Sequence, residues 1–124
     1  MRVFTYGVFD LIHVGHTQSL QKARALGDHL TVGVLSDEVA ESFKRKPIIP
    51  EEQRLEMVKA LKDVDDAFIL DTLVPDVSDY DTVAKGPGAK YEYLKFPEVE
   101  NVLLPYHPEV STTKIIEKIQ DAGN

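Results

Sequence analysis

Gly7-Val8-Phe9-Asp10-Leu11-Ile12-His13-Val14-Gly15-His16 is the stretch around which this 124-residue chain is organised. Just before it, Arg2-Val3-Phe4-Thr5-Tyr6 is β-branched and aromatic, the composition of a strand. Just after it, Thr17 to Leu26 carries apolar or small residues at Leu20, Ala23 and Leu26 and ends on Gly27, which predicts a helix with a glycine C-cap. Two histidines therefore fall where a strand passes into a helix. In a parallel α/β sheet, ligands collect there, at the carboxyl ends of the strands and against helix N-termini. Unpaired backbone N–H groups, a positive helix end and two imidazoles can meet one anion at such a place. Gly7 would let the chain leave the strand with unusual backbone angles, and Gly15 would let backbone approach a ligand. The i, i+3 spacing of His13 and His16 puts both on one side of a helical turn. Zinc is the rival use of a histidine pair, but the chain has no cysteine and no HExxH pattern to supply further ligands. Two hydrogen-bonded structural histidines are the plainest alternative.

Working outward, His29 to Leu35 reads as a second strand, and Ser36 caps a short helix that opens with Asp37 and Glu38. Strand, helix and strand in this short compass make a βαβ unit, so the two strands should be parallel. A basic loop, Lys44-Arg45-Lys46, follows and is stiffened by Pro47 and Pro50. Pro50 suits the first position of a helix to about Leu61, with Leu55, Val58, Leu61 and Val64 as its buried stripe. Asp66 to Leu70 reads as a third strand. Asp71 to Asp81, acidic and with Pro75, has no helical stripe and reads as a loop. Thr82 to Ala84 is a short fourth strand running into Lys85-Gly86-Pro87-Gly88, a turn that could cradle phosphate though it is no Walker sequence. Ala89 to Leu94 is expected to be a short helix and Asn101 to Leu104 a fifth strand. A last helix runs from Ser111 to about Asp121, with Ile115, Ile116 and Ile119 on one face. Lys114 stands where a capping box would want Glu or Gln, so the helix end carries hydroxyls and a lysine and suits an external anion.

The length fits one domain with one core, residues 1–124. Hydrophobic content of 43% and charged content of 28% are those of ordinary globular proteins. A net charge of −7 argues against a general nucleic-acid binder but not against a nucleotide site, which needs only local positive charge. No apolar run approaches the roughly 20 residues that cross a bilayer, so no membrane role is expected. The chain opens directly into a strand without a signal-peptide pattern, and the lack of cysteine fits a cytoplasmic location.

Gly7 to His16 resembles the GxFDxxHxGH signature of the cytidylyltransferase branch of the HxGH nucleotidylyltransferases. Ser111-Thr112-Thr113-Lys114-Ile115 is similar to the end of the RTEGISTT motif of glycerol-3-phosphate cytidylyltransferases. Lys46-Pro47-Ile48-Ile49-Pro50-Glu51-Glu52-Gln53-Arg54 is similar to the corresponding segment of archaeal FAD synthetases in the same superfamily. The resemblance implies a Rossmann-like, doubly wound α/β fold: five parallel strands with helices on both faces. It implies that His13 and His16 contact the triphosphate and stabilise the transition state, with the backbone at Val8 and Phe9 against the phosphates. Asp10 would orient the turn. Lys44 and Lys46 would grip phosphates of acceptor and nucleotide, Arg54 would serve the nucleotide, and Ser111, Thr112 and Thr113 would hold the β- and γ-phosphates. Lys85 would face the acceptor. Magnesium would come with the triphosphate, and a homodimer is the common assembly of the related enzymes.

The chain departs from the glycerol-3-phosphate enzymes where they have Arg-Thr-Glu-Gly-Ile. Here Tyr106-His107-Pro108-Glu109-Val110 stands, so Tyr106 or His107 would replace an arginine. The expected reaction is cytidylyl transfer from CTP to a small phosphorylated acceptor, by default glycerol 3-phosphate or another polyol phosphate, with release of pyrophosphate. FAD synthetase-like adenylyl transfer is the alternative, and a nucleotide-binding module without catalysis is a third reading.

Overall fold

A computed structural model of the chain describes residues 1–86, 96–104 and 111–123. Five parallel strands form one sheet: β1 (Arg2–Gly7), β2 (His29–Leu35), β3 (Asp66–Leu70), β4 (Thr82–Lys85) and β5 (Glu100–Leu103). Their order is β3-β2-β1-β4-β5. The chain steps from β1 to one side and returns to the other, so the order reverses beside β1. That reversal opens a crevice at the carboxyl ends of β1 and β4.

Alternation along the strands builds two apolar layers. On one face Val3, Leu30, Val32, Val34 and Ala84 meet Leu20 and Ala23 of α1 (Val14–Arg24) and Val58 of α3 (Glu51–Lys59). Leu55, Leu61 and Val64 pack half-buried beside Val58, as their spacing predicts. On the other face Phe4, Tyr6, Leu35, Leu70 and Val83 are covered by Val39 of α2 (Asp37–Glu41), by Phe43, and by Val77 and Phe96. The segment 71–81 is not helical. It reaches the core through fully buried Val77, which explains how a stretch without a helical stripe still covers a sheet face. The last helix, α4 (Thr112–Ala122), buries no residue completely, and Ile119 is 64% exposed. Among the described residues no helix is long and apolar enough to cross a membrane. The helix expected over Ala89 to Leu94 lies outside the described residues.

The two ends of α1 depart most from the sequence reading; elsewhere boundaries shift by one or two residues, with Pro50 capping α3 rather than opening it. Helix α1 begins at Val14 rather than Thr17, because His13 itself caps it. Its C-cap is Ala25 in ordinary right-handed geometry, so Gly27 is not the cap. Gly27 serves a close approach instead. A Cβ there would lie 2.5 Å from the Met1 carbonyl oxygen and 2.9 Å from Val3 Cγ2, where the chain passes the start of β1.

Gly27→Ala should therefore destabilise the protein by about 1–3 kcal/mol, since backbone must move to admit the methyl group. Chemical denaturation would register it as a lowered midpoint. The crevice, at the opposite ends of the strands, should keep its ligand affinity.

Candidate active site

The turn from β1 to α1 is irregular, and two of its residues are left-handed: Phe9 (φ 56°) and Leu11 (φ 46°). Non-glycine residues adopt that conformation at a cost, on the order of 1–3 kcal/mol each, and keep it only when their surroundings dictate it. In this turn such angles occur at two side-chain-bearing residues, and the surroundings that hold them can be named. Asp10, 4% exposed, accepts the backbone N–H of Ile48 (2.8 Å) and of Ile49 (3.0 Å) on its two carboxylate oxygens. Its backbone carbonyl accepts the Thr112 hydroxyl at 2.7 Å. One residue thereby ties the turn both to the proline-stiffened loop and to the tip of α4.

Arg54 supports the turn from below. Its Nη1 donates to the carbonyls of Val8 (2.6 Å) and Leu35 (2.8 Å), its Nε to that of Ile49 (2.8 Å), and its Nη2 to Asp37 Oδ1 (2.6 Å). The residue is 1% exposed. This corrects the expectation that Arg54 reaches out to an anion, because four of its five N–H donors go to internal acceptors and the side chain is buried. Asp37 and Glu51, the first residues of α2 and α3, each accept the other's backbone N–H and so fix the two helix starts around the guanidinium.

The histidines form a reciprocal cap. His13 Nδ1 accepts the Gly15 N–H (3.0 Å), and His16 Nδ1 accepts the His13 N–H (3.2 Å). This is a capping box built from two imidazoles, a use that N-cap preferences for Ser, Thr, Asp and Asn do not suggest. With Nδ1 accepting from backbone in both rings, the neutral imidazoles carry their protons on Nε2. The rings lie 4.0 Å apart between centroids, and Phe9 lies against His16 at 5.5 Å. Burial, then the neighbouring His13 and the Lys44 ammonium, push His16 from its ordinary 6.5 down to about 4, against a smaller opposing pull from Asp10. His16 is thus an uncharged N–H donor near neutral pH.

Lys44 stands close enough for its charge to act on both His16 and Asp10. Partial burial of the ammonium and the adjacent Arg45 hold its pKa below the ordinary lysine value, although the residue as a whole is exposed. Lys46 is exposed, and no hydrogen bond or ion pair among the described residues brings it to the turn. Ser111 caps α4 by accepting the Lys114 N–H at 3.1 Å, and Thr113 Oγ1 receives Arg45 Nη1 at 3.1 Å. Arg45, read in the sequence only as part of the basic loop, thus joins that loop to the helix tip. Lys85 does not sit on an open turn: it is 3% exposed, with its ammonium 5.7 Å from the Phe96 ring centroid. Tyr106, like His107, Pro87 and Gly88, lies outside the described residues. Among the described residues no three His, Cys, Asp or Glu side chains group as a metal site.

Comparison with known proteins shows the family and the fold. Residues 4–95 match the family model described as cytidylyltransferase-like. An FAD synthase of Thermococcus onnurineus is 37% identical, over 96% of this chain and 91% of that protein. An ethanolamine-phosphate cytidylyltransferase of Arabidopsis thaliana is 50% identical, but over 55% of this chain and 16% of that protein. Among solved structures, a protein titled lipopolysaccharide core biosynthesis protein, from Thermoplasma volcanium, superposes with a TM-score of 0.76. It is 31% identical, over 86% of this chain and 98% of that one.

Two outcomes follow from the site's construction. Arg54→Met should cost on the order of 3–5 kcal/mol in denaturation, because it strips three carbonyls and the Asp37 carboxylate of their partner. Arg54→Lys should recover only part, since one ammonium cannot span them. Because the unfolded chain binds a proton at His16 before the folded one does, stability should fall as pH drops from about 6.5 toward about 4. In His16→Asn that slope should flatten, as urea midpoints across the same window would reveal.

Proposed function

As this chain belongs to the cytidylyltransferase-like family of nucleotidyltransferases, we propose that its reaction is adenylyl transfer from ATP to flavin mononucleotide, forming FAD and pyrophosphate. The family implies a nucleotide substrate and a phosphorylated acceptor. The observation that favours adenylyl over the expected cytidylyl transfer is the likeness to FAD synthases along nearly the whole of both chains. The likeness to the plant cytidylyltransferase stops at about half of this chain. The Lys46–Arg54 segment is also central to the site's construction, since Asp10 holds Ile48 and Ile49 while Arg54 holds the carbonyls beneath the turn.

In the proposed step an oxygen of the flavin phosphate attacks the α-phosphorus of ATP. The bond from that phosphorus to the oxygen bridging to the β-phosphorus breaks, and pyrophosphate leaves with the electron pair. The attacking phosphate is already ionised, so no strong general base is required. The protein must hold the reactants in line and stabilise charge on the non-bridging and leaving oxygens. His13 and His16 do this through Nε2–H, Lys44 and Lys46 through their ammonium groups, and the Ser111–Thr113 helix tip through its N–H groups. Thr112 acts on position, its hydroxyl being given to the Asp10 carbonyl. Magnesium enters as part of the triphosphate substrate. Cytidylyl transfer to a polyol phosphate is the second reading, supported by the 50% identical segment and the Ser-Thr-Thr tip.

The test supplies the protein with magnesium and either ATP or CTP, each with FMN and with glycerol 3-phosphate. Pyrophosphate release is followed alongside the flavin product. Turnover with ATP and FMN is expected, and His16→Ala should lower kcat by about 100- to 1,000-fold. Preference for CTP, or nucleotide binding without any turnover, would overturn the proposal.

A further inference from the structure

We propose that Arg45 is the residue through which this site reads the terminal phosphates of its nucleotide, setting its preference for triphosphates over mono- and diphosphates. The inference rests on the nucleotidyl-transfer reading but not on which base is carried. Lys44, Arg45 and Lys46 are three successive exposed cations in a chain with 21 acidic and 14 basic residues. Acidic groups are plentiful, yet among the described residues no carboxylate lies within ion-pair distance of any of the three. Burial and, after it, the adjacent Arg45 charge hold the Lys44 pKa down, against a smaller opposing pull from Asp10. Such a cluster is stabilised when an anion enters it.

Position distinguishes the members of the cluster. The charge of Lys44 is felt at His16, on the side of the paired imidazoles. Arg45 instead reaches α4: its Nη1 donates to the hydroxyl of Thr113, 68 positions on in the sequence and the second residue of α4. The neighbouring Thr112 hydroxyl holds the Asp10 carbonyl, so α4's tip, Arg45 and the histidine turn share one locus. A polyphosphate laid from the imidazoles to α4 would place its α-phosphate at His13 and His16 and its outer phosphates at Arg45. A guanidinium has five N–H donors, and Thr113 takes one, so the planar fork can still engage a phosphate through two parallel bonds.

A bland alternative is that Arg45 merely fastens the loop to the helix, and the two roles separate experimentally. Arg45→Gln keeps an amide donor for Thr113 but removes the charge. Thr113→Val removes the hydroxyl and keeps the charge. Calorimetric titration of each, and of the wild-type protein, with AMP, ADP, ATP and inorganic tripolyphosphate gives an affinity ladder. Lys62→Gln, in the turn before β3 at the far end of the sheet, controls for net charge.

Arg45→Gln should weaken ATP and tripolyphosphate by about 10- to 100-fold, the worth of charge-assisted bonds, while leaving AMP unchanged. Lys62→Gln should keep the wild-type ladder, and Thr113→Val should lose less affinity for ATP and tripolyphosphate than Arg45→Gln does. Equal losses for AMP and ATP in Arg45→Gln, no loss at all, or full reproduction of the loss by Thr113→Val would each overturn the assignment. A wild-type protein that binds neither ATP, CTP nor tripolyphosphate would remove the nucleotidyl-transfer reading, and this proposal with it. Wild-type binding with an unaltered ladder in Arg45→Gln would remove this proposal alone.

Discussion

The structure depends on holding a strained turn in place without regular secondary structure of its own. Phe9 and Leu11 sit in left-handed backbone, and nothing within the turn compensates for that cost. The compensation comes from two charged side chains that are almost wholly removed from water. Asp10 gathers two N–H groups from the loop above, and Arg54 gathers carbonyls from Val8, Leu35 and Ile49 beneath. Each buried charge is tolerated because hydrogen bonds replace its hydration. The two do not pair with each other; each is satisfied mostly by backbone. Backbone partners fix geometry more tightly than a mobile counter-ion would, which a site for in-line transfer requires.

The histidines inherit this rigidity. Once the turn is fixed, the two Nδ1 atoms take the N–H groups of the cap residue His13 and of Gly15 in the first turn of α1. Capping therefore decides the protonation pattern of the rings. A tautomer chosen by the helix end faces its polar hydrogen away from that end. A capping imidazole still has its Nε2–H to offer, so the plain reading of hydrogen-bonded structural histidines and the ligand-binding reading are compatible.

How much of this could be read from the residues divides along physical lines. The five strands were legible because β-branched and apolar runs carry a local period, and the helix between the first two made those parallel; the parallel arrangement of all five came from the family resemblance. The loop at 71–81 was legible for the same reason in reverse. The role of Arg54 was not, because the three carbonyls it joins come from the ends of separate elements, and no local spacing announces their meeting. Gly27 was misread for a related reason: a glycine after a helix looks like a cap, whereas what demands it is Met1, 26 positions earlier in the chain. The start of α1 was displaced because histidine is not among the residues expected to cap. The choice of base was weighted toward CTP by the Ser-Thr-Thr tip. A helix end with hydroxyls addresses phosphates, which every nucleoside triphosphate shares, so that motif carries little information about the base.

The distribution of charge around the turn bears on how such a site could favour a transition state over its ground state. Fixed cations attract a triphosphate strongly from the moment it arrives, and that attraction lowers both states alike. A neutral imidazole N–H behaves differently. It makes a modest bond to a phosphate oxygen at rest and a stronger one as negative charge accumulates there. His16 is held neutral first by burial, then by the neighbouring His13 and the Lys44 ammonium. The same ammonium that would recruit the polyphosphate also keeps the imidazole in the form best suited to differential stabilisation. Moving Lys44 away from the turn would weaken recruitment, and it would also let His16 take up a proton more readily. The basic loop and the histidine pair are thus one electrostatic device, and Asp10, bonded to the loop and lying in the turn, sets the distance between its parts.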